Sequence, residues 1–377
     1  MATPEATVRK RRSAVPYRVR VEPRIEEVPA WLPPAISLGA VILALVLGGV
    51  VLAAVGGNPL YTYAHMVNAA FGNVGVLSDT LTKATPILLC GLACTVAFRM
   101  KLWNIGAEGQ FFIGAWAASD IVLLPVLPSD APKFLMLLTM AVAGFAGGAM
   151  WGFVPGVLKA KLNVNEVLTT LMMNYIAISW NNFFIFAVWS ERGFQMSRMF
   201  PNSAWMPRLA DLAALVPAFA GLTTHLGLVI AVIAAGVLWW VLYRSRWGYE
   251  IKLTGDNPRA ARYAGINIVR NTILVMMLSG GLAGLAGMSE ISGVVHRLQG
   301  AISPGYGFTG IIVAWLAKLN PLAVVPVSVL FGALILAGRE IQPSGVAKLL
   351  QGIILFCLIS SEVLLRYRIR VERVRQA

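Results

Sequence analysis

The chain has 377 residues, 58% of them hydrophobic and 13% charged, with a formal net charge of +14. A soluble domain carries roughly 25% charged residues, so a water-soluble globule is excluded, and apolar runs of about 20 residues exclude a transmembrane β-barrel, whose strands alternate over about 10. The positive charge clusters beside apolar runs, at 9–24, 244–270 and after Arg366, where it reads as a topology signal and a contact for anionic membrane lipid, and not as a nucleic-acid surface.

The expected fold class is an all-α polytopic membrane protein of about ten transmembrane helices. Residues 1–33 form a basic cytoplasmic extension. Its acids and prolines, and the lack of a short apolar core before a small-residue cleavage site, argue against a cleavable signal. Spans are expected at roughly 34–56, 77–98, 106–127, 135–158, 166–188, 222–243, 271–290, 305–319, 321–338 and 346–365. The eighth and ninth are short and meet at Asn320-Pro321, which suits a tight turn or a re-entrant pair. Residues 366–377 form a basic tail.

With the N-terminus inside, most of the 31 Lys and Arg fall in cytoplasmic segments. Only Lys133, Arg192, Arg198, Arg208, Arg297 and Arg339 fall outside, with Lys83 and Lys348 in spans near the outer face. The positive-inside rule therefore puts both termini in the cytoplasm, a transmembrane domain over 34–365, and a cytoplasmic loop at 244–270. The external segment 189–221, with Trp189, Trp205 and three prolines, is expected along the outer interface with an amphipathic helix near 207–216.

Span three opens with WNIGAEGQFFIGAW and span eight with PGYGFTGIIVAWLA, each carrying Gly-x-x-Gly (Gly106/Gly109; Gly307/Gly310). Spans 2–5 begin outside and spans 7–10 inside. If the two sets are homologous they are inverted repeats, which place binding near the midplane; the plain alternative is that Gly-rich openings look alike. Span seven carries Gly280, Gly284 and Gly287, spaced for close helix packing. Glu290 at its outer end is read as a solvated terminus or a partner for Arg297.

Polar residues within spans are costly and so carry information. Asn104 and Glu108 share a helix face with Gln110 beside them. They either line a solute route or pin the broken start of span three by bonding freed backbone groups. Asn174, with Thr169, Thr170 and Tyr175, poses the same choice in span five. Tyr306, Phe308 and Thr309, with Ser303, open span eight, and Asp79, Thr82 and Lys83 sit at the outer start of span two. No catalytic set or metal site is expected. His65, His225 and His296 are scattered, Cys90, Cys94 and Cys357 read as packing residues, and H-E-x-x-H is absent.

The loop 243–271 contains a short helix with readable ends: Asp256 or Asn257 as N-cap, Pro258 in the first turn and Gly265 at the C-terminal end. Two turns over 259–264 are unstable alone, and Ala260, Ala261 and Ala264 suit close approach to a protein groove better than lipid.

This stretch, Gly255, Asp256, Asn257, Pro258, Arg259, Ala260, Ala261, Arg262, Tyr263, Ala264 and Gly265, resembles the coupling-helix motif of permease subunits in ATP-binding-cassette importers of the branched-chain amino acid, simple sugar and nucleoside group. WNIGAEGQ at 103–110 and NEVLTTLMMNYI at 165–176 resemble the nucleoside and simple-sugar branch. The motifs occur in family order, and the resemblance covers roughly 35–365.

It implies a translocation pathway for a small polar solute, nucleosides ahead of simple sugars or branched-chain amino acids, worked by alternating access in a prokaryotic cell membrane. It also implies partners: an ABC ATPase docking at 255–265, a second permease of different sequence, and an external substrate-binding protein. A nucleoside would suit a route lined by Asn104, Glu108, Gln110, Asn174, Tyr306, Phe308 and Thr309, which offer amides, hydroxyls and stacking rings. No cofactor is expected, ATP being used by the partner, and the absence of any Gly-Lys dipeptide excludes a Walker A loop. The rival is a stand-alone secondary transporter, for which Glu108 and Asp120 are the coupling acids on offer.

Overall fold

The computed structural model describes residues 17–23, 29, 31–128, 130–339 and 345–373. Expectations for the rest of the basic extension and tail, including 9–12, Arg24 and 374–377, lie outside the described residues.

The chain divides into two compact units. One comprises residues 1–49 and 352–377. In it strand β1, Tyr17–Pro23, pairs antiparallel with β2, Tyr367–Arg373, with Tyr17 opposite Arg373 and Pro23 opposite Tyr367. The segments YRVRVEP and YRIRVER alternate basic and β-branched residues with the period of a strand. This ribbon is an addition, outside the spans, to an otherwise helical chain. The unit also holds the start of α1 (Leu32–Ala54) and most of α13 (Val346–Arg366).

The second unit, 50–351, is helical. Its elements are α2 (Pro59–Phe71), α3 (Val74–Arg99), α4 (Ala107–Leu123), α5 (Lys133–Leu162), α6 (Glu166–Phe183), α7 (Leu226–Arg244), α8 (Arg246–Asp256), α9 (Pro258–Tyr263), α10 (Ile268–Glu290), α11 (Tyr306–Leu316) and α12 (Pro321–Ala337). Each expected span coincides with a helix: α1, α3–α7 and α10–α13. Among the described residues six stretches are long and apolar enough to cross a membrane, at 35–54, 74–99, 133–162, 166–188, 226–244 and 268–295, while α11 and α12 are shorter. Asparagine starts many of these helices. Asn58, Asn73, Asn165, Asn257, Asn267 and Asn320 each accept a first-turn N–H on the side chain, leaving fewer donors unpaired where water is scarce.

Helices α3 and α10 are the most enclosed of the long helices. Small residues let α10 meet α5 backbone to backbone: a Cβ on Gly284 would lie 2.1 Å from the Gly144 carbonyl oxygen, and one on Gly148 2.2 Å from that of Gly280. Without a hydrophobic force between helices in lipid, such close packing is what holds them together.

The outer segment departs from expectation. In place of a helix near 207–216 it forms short 3₁₀ turns at Asn202–Ala204, Leu209–Leu212 and Pro217–Phe219. Pro207 and Pro217 flank the stretch and remove backbone donors. Bridges from Met196 to Gln299 and from Arg208 to His225 tie it to the following helices.

Candidate functional site

Helix α3 ends at Arg99 and α4 begins only at Ala107; α10 continues as a π-helical turn, Ile291–Val295, and is then parted from α11 by a stretch closed by Gly305, at φ +108°. The N-termini of α4 and α11 meet. The Gly307 N–H donates to Glu108 Oε2 at 2.7 Å, and a Cβ on Gly307 would fall 2.2 Å from the Glu108 nitrogen. From that point the helices diverge. The far end of α4 presents the Val122 and Leu123 carbonyls to Arg198, whereas α11 runs toward the end of α3, where Arg99 Nε donates to the Leu319 carbonyl at 3.2 Å. Two positive helix ends thus share one carboxylate, 3% exposed, which is the setting that favours an acid inside a membrane-class fold.

The amides account for the loop that enters α4. Asn104 Nδ2 donates to Gln110 Oε1 (2.9 Å) and to Ser279 Oγ (2.8 Å), and the Ser279 hydroxyl in turn donates to the Ala93 carbonyl. The Gly106 N–H donates to Asn104 Oδ1. Asn174 accepts from the Gly109 N–H at 2.8 Å and donates to the Ile105 carbonyl at 2.9 Å, while the Ile105 N–H finds Thr170 Oγ1. Asn104, Glu108, Gln110 and Asn174 are therefore brought together and buried, each bonded to the chain's own groups.

Tyr306 is fully buried. Its hydroxyl lies 3.3 Å from Lys83 Nζ and 3.4 Å from Glu290 Oε1, and Lys83 and Glu290 pair at 3.0 Å. This triad joins α3, α10 and α11. Glu290 is thus neither solvated nor the partner of Arg297, which lies against the Met196 sulfur at 2.8 Å; the signal in the sequence was two opposite charges placed near the outer ends of separate spans. Thr309 Oγ1 donates to the Gly305 carbonyl at 2.9 Å. Phe308 differs from the others in being 42% exposed.

At the end of the core where α3 finishes, expected to be the inner one, α8 and α9 form a gripped pair. The Asn257 side chain accepts from the Arg259 and Ala260 N–H groups at 3.1 Å each, Pro258 opens α9, and Gly265 closes it at φ +76°. Gly255 sits against the end of α3, where a Cβ would lie 2.6 Å from the Arg99 carbonyl oxygen. Lys101 and Asp256 approach to 3.8 Å. Asn271 of α10 donates to Glu250 at 2.8 Å and accepts from the Trp247 indole at 3.3 Å. The Arg99 guanidinium stacks over Tyr243 of α7, 4.3 Å from the ring centre. Ala261 is buried in this seat, whereas Asp256, Asn257, Pro258, Arg259, Tyr263, Ala264 and Gly265 are exposed and Ala260 is half-buried.

At the opposite end of the core, His225 immediately precedes α7 and His296 follows the π-helical turn Ile291–Val295 that continues α10. Trp205 stacks on His296 with ring centres 3.9 Å apart, and Arg208 bonds both His296 Nε2 and the Gly293 carbonyl. Burial, then the nearby Arg208 charge, lowers both imidazoles from 6.5 to about 4. Both rings are neutral, native or unfolded, above pH 6.5. Between 6.5 and about 4 only the unfolded chain takes up their protons, so stability falls as pH falls. Thermal melting is expected to show stability falling as pH falls through that window, and His296→Gln should flatten the slope; equal melting at both ends of the window would refute this.

Among the described residues, six helices long and apolar enough to cross a membrane, with two helix starts meeting at a shared buried carboxylate, place the chain in the class of polytopic helical membrane proteins. The family model described as the branched-chain amino acid transport system/permease component matches residues 76–359, and the chain belongs to that family. It is 33% identical to the glucose ABC transporter permease protein of Haloferax volcanii, over 94% of each chain. It is also 33% identical to the guanosine ABC transporter permease protein of Bacillus subtilis, over 86% of this chain and 93% of the relative. A nucleoside ABC transporter permease protein of Lactococcus lactis is 32% identical over 79% and 82%. The resemblance to the nucleoside and simple-sugar branch is thereby shown, and the chain is an ABC transporter permease.

Proposed function

We propose that this permease forms the translocation pathway of an importer for nucleosides, in a prokaryotic plasma membrane, and works by alternating access. The observation that carries the reading is the α8–α9 pair, exposed at the inner end yet fastened to α3, α7 and α10. An ATPase docking on 255–265 would spend its ATP there and rock those helices, with no cofactor in this chain. A second permease of different sequence and an external binding protein complete the assembly.

The pathway is framed by Asn104, Glu108, Gln110, Asn174, Tyr306 and Thr309, whose own bonds hold its wall, while Phe308 offers an open ring for stacking. The opposed starts of α4 and α11 support reading spans 2–5 and 7–10 as inverted repeats. Two relatives bear guanosine or nucleoside names, which favours nucleosides; the glucose permease relative supports a simple sugar as the second reading. Uptake of labelled guanosine, uridine, glucose and leucine by the reconstituted complex tests this. Saturable nucleoside uptake that glucose does not compete is expected, and uptake of glucose alone would replace the first reading with the second.

A further inference from the structure

A cavity of about 530 Å³ lies between α5, α8 and α10 at the inner end. Its floor is Phe145, Leu274, Met277 and Leu278, all on membrane-spanning helices, and its rim is Arg246 and Arg270 with Trp247 beside them. From Arg270 to Leu278 the helical rise is about 12 Å, which is enough to run from a headgroup well into an acyl chain. Both arginines are exposed, and neither makes an ion pair among the described residues. Glu250 and Asn271 also line the cavity, the Glu250 carboxylate accepting from Asn271 at 2.8 Å and making no ion pair with either arginine among the described residues.

We infer that this cavity is a binding site for an anionic phospholipid of the inner leaflet, its phosphate held by Arg246 and Arg270 and an acyl chain lying over the apolar floor. Charge complementarity selects the occupant. Two unpaired guanidinium groups at the membrane surface match a phosphate diester by fork geometry, and a tryptophan at the rim suits the headgroup level. A cytosolic domain cannot reach a floor inside the spans.

The test is native mass spectrometry of the full-length chain released from mixed phosphatidylcholine and phosphatidylglycerol vesicles. The parent chain should retain phosphatidylglycerol preferentially. The double variant Arg246→Gln with Arg270→Gln should retain it about thirtyfold less, the loss expected when two surface cations leave an anionic headgroup. The corresponding double lysine variant should recover part of it, keeping charge without the fork. Lys161→Gln, which removes an inner-end cation off the cavity, should change nothing, and Leu278→Trp should reduce retention of both lipids by filling the floor. Equal retention of phosphatidylcholine, or unchanged phosphatidylglycerol in the double glutamine variant, overturns the site. Displacement by inorganic phosphate would make it a phosphate site. Loss of ATPase binding in that variant with lipid retention intact would make it a protein-docking surface.

Discussion

Replacing Gly284 with leucine is expected to cost about 5 kcal/mol or more and to leave little folded protein in the membrane. The first atom added would lie 2.1 Å from the Gly144 carbonyl oxygen and 3.1 Å from the Gly148 Cα, so backbone and not a yielding side chain stands in its way. Helices α5 and α10 would have to part by the width of a side chain. Parting them also disturbs Ser279, which bonds α3 and holds Asn104 at the entry to α4. Gly236 is the control: a Cβ there meets nothing within 4 Å, and Gly236→Leu should change stability by no more than about 0.5 kcal/mol. Thermal melting of the extracted proteins reads both. A Gly284→Leu protein that melts with the parent would show that the seam is not close-packed.

Where the sequence spoke locally, it could be read. Apolar length located the long helices, and the order Asn257, Pro258 and Gly265 bounded α9 because caps act within a turn. The meeting of Glu108 with Gly307 could not be read in that way, for the two lie 199 residues apart, and the Lys83–Glu290 pair spans 207. Charge alone said that such residues need partners; only packing names them. Helix α2 escaped because its 13 residues, with Thr62, His65 and Asn68 among them, fall short of a span in length and apolarity. The terminal ribbon was legible in principle, since YRVRVE and YRIRVE nearly repeat each other, but the charge clusters drew the reading toward topology. The outer segment misled for a related reason: 207–216 has an amphipathic pattern, yet Pro207 and Pro217 leave too short a stretch to make a stable helix.

Replacing Tyr263 with alanine is expected to lower solute uptake by about tenfold or more, the effect of removing an aromatic anchor from a docking surface, with melting and membrane insertion unchanged. Other positions in the segment make weaker tests. Ala261 is fully buried, so a bulky residue there would lift α9 off its seat before any partner was involved. Gly265 has open space around it but sits at φ +76°, so a side chain there strains the backbone. Tyr263 is 96% exposed and contributes nothing to that seat, which separates docking from folding. The route inward from this surface is short. Gly255 packs on Arg99, Asp256 faces Lys101, and Glu250 holds Asn271, so a force on α9 acts directly on the end of α3 and the start of α10. Those two helices also carry Ser279 and Ala93 beside the broken start of α4, and a displacement of one against the other must therefore be felt where α4 and α11 meet. Uptake and ATP hydrolysis measured on the reconstituted complex decide the matter: both should fall together in Tyr263→Ala, and normal uptake would remove 255–265 as the site where the ATPase acts.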